Sequence, residues 1–129
     1  MGFKYLGVLN EEIAKYWGIE EHKNKPIVVY DDRREHVIER HLEDFGSVER
    51  IDMCYHNLGN IIKKHDYVFY NENSKSLEFY KKINEDICVA VRISPGKILK
   101  VRSWFPANKG KINNRRKKEE DKILSEENL

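Results

Sequence analysis

The hydrophobic period of this chain changes between Lys64 and Tyr67, and that change limits its fold more than any other feature. Upstream, Val37, Ile38, Leu42 and Phe45 fall on one side of a segment that Asp31 or Asp32 can cap and Gly46 can end. After Ser47, a second such stripe runs through Ile51, Cys54 or Tyr55, Leu58, Ile61 and Ile62. Both have the spacing of amphipathic helices. Downstream the period drops to two in four β-type runs: Tyr67 to Tyr70, Ser76 to Ile83, Ile87 to Ile93 and Ile98 to Phe105. The turns NENS, NED and SPGK between them are too short for parallel crossovers, so the runs must pair as an antiparallel meander. The expected fold is α+β, with N-terminal helices packed on one face of a four-stranded antiparallel sheet.

The remaining segments fit around this frame. Asn10 caps a short helix with Glu11 and Glu12 in its first turn and Gly18 beyond its end. Pro26 to Tyr30 (PIVVY) reads as a short strand or an extended lead into the next helix. At 129 residues the chain holds one core, divided into an N-terminal helix and loop (1–25), an α+β unit (26–106) and a basic, then acidic tail, flexible or helical (107–129). Cys54 and Cys88 sit among apolar neighbours and read as small core residues. No apolar run approaches the roughly 20 residues of a membrane span, and the start turns acidic too early for a signal peptide. A cytoplasmic protein without membrane contact is expected.

The net charge of +2 conceals a strong polarity. Between Gly96 and Lys118 stand nine Lys or Arg and no Asp or Glu, which leaves −7 for the rest of the chain. Such a distribution suits a local polyanion site. Strand alternation then sorts the sheet faces. Leu99, Val101 and Phe105 share one face of the last run; Lys100, Arg102 and Trp104 share the other. Val89, Val91 and Ile93 oppose Arg92, and Leu77, Phe79 and Ile83 oppose Glu78, Tyr80 and Lys82. One face is apolar and receives the helices. The other carries Tyr80, Lys82, Arg92, Lys100, Arg102 and Trp104, a mixture of cations and aromatics suited to phosphate neutralisation and base stacking on RNA. Arg115 and Arg116 in the tail join the expected RNA-binding set.

The densest reactive cluster is RREHVIERH, with His36, Arg40 and His41 inside six residues. His36 and Arg40 project together, four residues apart, while His41 falls toward Val37, Ile38 and Leu42, held by packing or bordering a cleft. The spacing does not suit a helical zinc pair, so neither a metal site nor a cofactor is expected. His22, His56 and His65 lie in polar contexts and receive no role.

These elements, in this order, resemble the phage-type branch of the barnase, EndoU, colicin and RelE-like nuclease fold over roughly Ile27 to Phe105. The motifs carrying the resemblance are His36-Val37-Ile38-Glu39-Arg40-His41, the step Asp66-Tyr67-Val68, and Ser103-Trp104-Phe105 at the end of the last run. The third departs from the family's T-x-Y-like pattern, with serine for threonine and phenylalanine for tyrosine. The resemblance implies metal-independent endoribonuclease chemistry of a toxin-like or mobile-element type, by attack of the ribose 2′-hydroxyl on the adjacent phosphate. It gives His36 and His41 the acid and base work, Arg40, Arg92 and Arg102 the charge stabilisation, with Lys82 or Lys100 in support, and Ser103 the orientation of phosphate. RNA would be the substrate, and a neutralising antitoxin or immunity protein the partner that protects the host. Two rival readings stand beside it: a non-catalytic RNA- or protein-binding regulator of phage or mobile-element origin, and a small antitoxin-like or decoy protein gripping an acidic partner through the basic tail.

Overall fold

The computed structural model of the protein describes residues 2–127, with side chains through Glu120. Asn128 and Leu129 of the expected tail lie outside the described residues. Asn10 accepts hydrogen bonds from the backbone N–H groups of Glu12 and Ile13 through Oδ1 and so starts α1 (Glu11–Tyr16). Helix α2 (Asp32–Phe45) ends at Gly46, whose φ of 85° is left-handed and whose N–H donates to the Leu42 carbonyl. Ser47 Oγ accepts from Arg50 N at the start of α3 (Val48–Lys63). A two-point ion pair ties α2 to α3: Arg34 Nε lies 2.6 Å from Asp52 Oδ1, and Nη2 3.0 Å from Oδ2. The Arg34 guanidinium holds the Asp52 carboxyl below the usual carboxylate range. Nothing crowds the position where a Cβ at Gly46 would sit, so Gly46→Ala costs backbone strain alone. Urea unfolding of that variant is expected to show a loss of about 1–2 kcal/mol.

The sheet has six strands, not four, and it is mixed. The strands are β1 (Phe3–Val8), β2 (Pro26–Tyr30), β3 (Tyr67–Asn71), β4 (Ser76–Ile83), β5 (Glu85–Arg92) and β6 (Leu99–Pro106), in the spatial order β1-β2-β6-β5-β4-β3. The expected meander forms β3 to β6, all antiparallel. Its last strand would present an open edge, and β2 fills that edge in parallel, with Ile27 opposite Leu99 and Val28 opposite Lys100. Ile27, Val28 and Val29 are all buried, as expected of an apolar run covered on both faces. β1 then pairs antiparallel with β2 and closes the far side.

Helices α2 and α3 pack on one face over Phe45, Ile51, Leu58, Ile61, Leu77, Phe79, Val89 and Leu99. The inward line of α2 runs Val37, His41, Phe45 at four-residue spacing, which leaves Leu42 on its flank, 38% exposed, outside the core expected for it. The opposite face is not wholly wet. Helix α4 (Lys109–Glu127), capped where Asn108 Oδ1 accepts from Lys111 N, lies against it. Ala107 and Ile112 join Tyr80 and Cys88 in a second apolar cluster. Burial raises the Cys54 thiol to about 11 and the Cys88 thiol to about 12, in keeping with two packing residues.

Alternation fails at one place in β6. Ala90 faces Ser103 and Val91 faces Val101, so Arg102 is the extra residue of a β-bulge. Before the bulge, Leu99 and Val101 face the core; after it, Trp104 does. Trp104 is therefore fully buried, stacked on Tyr55 at 5.5 Å with its Nε1–H donating to the Ile51 carbonyl, instead of lying on the cationic face. Phe105 takes the outward position that alternation gave to Trp104.

Candidate functional site

A cleft of about 950 Å³ is bordered by α2, which packs against β6, and by outward side chains of β4, β5 and β6. From α2 it receives Arg33, His36 and Arg40, each one turn from the next, and His41, the immediate neighbour of Arg40. From the sheet it receives Ser76, Glu78, Arg92, Lys100, Arg102, Ser103 and Phe105. The bulge matters here: by inserting Arg102 it brings Arg102, Ser103 and Phe105 to the same wall, where strict alternation would have sent Ser103 and Phe105 toward the core.

The electrostatics are strongly one-sided. Five cations, Arg33, Arg40, Arg92, Lys100 and Arg102, border the cleft, against the carboxylates Asp32 and Glu78. Arg33 Nε lies 3.6 Å from Asp32, and Glu78, 5% exposed, is engaged by Arg115 Nε of α4 at 3.0 Å and by the Tyr80 hydroxyl at 2.8 Å. Arg102 Nη1 donates to Ser76 Oγ at 2.9 Å, which fixes its guanidinium at the wall. Lys100 Nζ rides 5.2 Å from the Tyr30 ring centre. Ser103 Oγ is buried with no hydrogen-bond partner among the described residues, an arrangement that is costly for a polar atom.

The two histidines differ. Burial, followed by the nearby charges of Arg33 and Arg40, lowers the His36 pKa below its ordinary 6.5. His41 has its Nδ1 2.9 Å from Asp44 Oδ2, and its ring stacks on Phe105 at 5.2 Å. A carboxylate can only accept, so Nδ1 is the nitrogen that bears hydrogen in this pair. Among the described residues no group of three or more His, Cys, Asp or Glu is arranged to hold a metal ion.

Of the residues singled out in the sequence, His36, Arg40, His41, Arg92, Lys100, Arg102 and Ser103 meet at this cleft. Others do not. Trp104 is in the core, and Tyr80, 1% exposed, is sealed under α4, so neither ring is available to stack a base. Lys82 is exposed beyond the cleft, near the Asp66 carboxylate that accepts its backbone N–H. Arg115 is bound to Glu78, and Arg116 lies 5.0 Å from the Tyr67 ring centre. Sequence reasoning passed over Arg33, Ser76 and Glu78 as cleft residues. Arg33 precedes His36 by three residues and so shares its helix face, and alternation places Ser76 and Glu78 on the cationic sheet face; neither pattern shows which residues share one cleft.

Two imidazoles beside a cluster of cations on an α+β frame are suited to handling phosphate. The sequence model of the family described as phage-Barnase-EndoU-ColicinE5/D-RelE like nuclease3 matches residues 4–114. The chain belongs to this family of phage-type nuclease-like proteins. Comparison with curated proteins and with solved structures gives no significant match. No helix among the described residues is long and apolar enough to cross a membrane.

Proposed function

We propose that the protein is a metal-independent endoribonuclease that cleaves RNA by transesterification. The observation that carries this reading is the convergence of His36, His41 and the five cations on one cleft, in a chain of a nuclease-like family. His36, held neutral at pH 7 by its lowered pKa, accepts the ribose 2′-hydroxyl proton. The 2′-oxygen attacks the adjacent phosphorus, and the bond to the 5′-oxygen breaks, with the leaving oxygen taking a proton from His41 Nε2. The products are a 2′,3′-cyclic phosphate and a 5′-hydroxyl. Arg40, Arg92 and Arg102 balance the charge gathered on the phosphorane, with Lys100 in support, and the Ser103 hydroxyl orients a phosphate oxygen. This activity also calls for a neutralising antitoxin or immunity protein with an acidic surface that covers the cleft.

Incubation with total RNA in excess EDTA is expected to give discrete fragments ending in 2′,3′-cyclic phosphate; intact RNA under those conditions overturns the reading. The pH dependence follows from His36. Because its pKa is lowered, the rate rises with pH through a midpoint below 6.5, and an acid limb at or above 6.5 would exclude it as the base. One observation favours a non-catalytic RNA-binding regulator instead. Phe105, stacked on His41, has no hydroxyl where the related pattern carries a tyrosine. A protein of that kind binds RNA in a salt-sensitive manner and leaves it uncut.

A further inference from the structure

The cleft does not end at β6. Phe105 on its wall carries Lys111 of α4, Nζ 4.4 Å from the ring centre, and Glu78 on its wall carries Arg115 of α4. Lys111 and Arg115 in turn line a second groove, of about 280 Å³, together with Asn114, Lys117 and Lys118. The two depressions are thus joined at two separate contacts. Four of the five groove residues are cationic and none is acidic or apolar. Lys117 and Lys118 are exposed and have no ion-pair partner among the described residues. From Lys111 to Lys118 the helix rises about 10 Å, enough to meet more than one backbone phosphate.

We infer that α4 is a second RNA-binding subsite, a track that takes the backbone of a single strand as it leaves the cleft over Phe105. The inference rests on the cleft being a nucleic-acid site. Within the basic stretch it moves the phosphate contacts from Arg115 and Arg116 to three lysines: Arg115 anchors the helix to Glu78, and Lys111, Lys117 and Lys118 hold phosphate. An acidic protein is the other polyanion such a groove could meet. Protein interfaces, however, are anchored by aromatic or other apolar side chains in desolvated pockets, and this groove offers none. Continuity with the cleft likewise favours a linear chain of phosphates.

The test uses the full chain and an uncleavable ligand, 2′-O-methyl RNA, as a long single strand and as a dinucleotide that the cleft alone can hold. Binding is followed against salt concentration. Removing three phosphate contacts with Lys111→Gln/Lys117→Gln/Lys118→Gln should reduce the slope of log K against log salt by about 2 for the long strand and leave the dinucleotide slope unchanged. Lys117→Gln/Lys118→Gln, altered only at exposed positions, should reduce it by about 1.4. A control of equal charge, Lys15→Gln/Lys23→Gln/Lys63→Gln, lies away from both depressions and should retain the parent slope.

An unchanged long-strand slope in the triple variant, with the parent binding normally, would remove α4 from the path and leave the cleft reading intact. Equal losses for dinucleotide and long strand, or for the control, would reduce the track to a diffuse field. A parent protein that binds no RNA, or that binds polyglutamate in preference to it, would overturn this inference and the nucleic-acid reading together.

Discussion

Alanine at His36 or at His41 is expected to lower RNA cleavage at least about a hundredfold, equivalent to roughly 2.7 kcal/mol of transition-state stabilisation. Each residue lines the cleft and neither belongs to the core, so far-UV circular dichroism should match that of the parent. The loss should fall on the rate under saturating RNA, with binding of an uncleavable strand largely kept, since the phosphate-facing cations remain. The double variant should be little worse than either single one, because an acid and a base serving one proton relay act as a unit. His36→Ala should also abolish the acid limb of the pH profile, whereas His41→Ala should leave it in the residual rate. Full activity in both single variants would end the assignment.

The largest effect on stability is expected at a residue that the sequence placed on the wrong face. Trp104→Ala empties a fully buried site between the sheet and α3, removes the stack on Tyr55 and deletes the hydrogen bond to the Ile51 carbonyl. A loss of about 3–5 kcal/mol is expected, a large share of the total for a domain of this kind. Phe105→Ala, half-buried at the cleft, should cost much less stability and affect RNA handling instead. The pair decides the bulge. Without it, strict alternation makes Phe105 the core residue and reverses the order of the two losses, which chemical denaturation of the variants would reveal.

What could be read in the sequence depended on how local each signal was. The caps at Asn10, Ser47 and Gly46 and the β3 to β6 meander are set by near neighbours, and they appear where the pattern placed them. β1 escaped notice because Phe3–Val8 is interrupted by an irregularity between Tyr5 and Gly7 and pairs with a strand on the far side of α1. The bulge at Arg102 was invisible because no glycine or proline marks it, and its cost was a swap of Trp104 with Phe105. Helix α4 offers few apolar residues to a pattern search. Its attachment depends on Ile112, on the Arg115 to Glu78 pair and on cations over the Phe105, Phe69 and Tyr67 rings, partners far away in sequence. At the site, the histidine helix and the basic strands were legible; which of their side chains share a wall was not.

The position of β6 sets a timetable for the molecule. Synthesised after every other strand, it lies between β2 and β5, so it joins the β1-β2 pair to the β3-β4-β5 meander. A chain that stops short of Leu99 lacks the strand that links these two parts of the sheet and carries Lys100, Arg102, Ser103 and Phe105 into the cleft. His36, Arg40 and His41 emerge early but face nothing until Lys100, Arg102 and Ser103 follow. The cleft is therefore complete only once β6 has been made and has joined the two parts of the sheet.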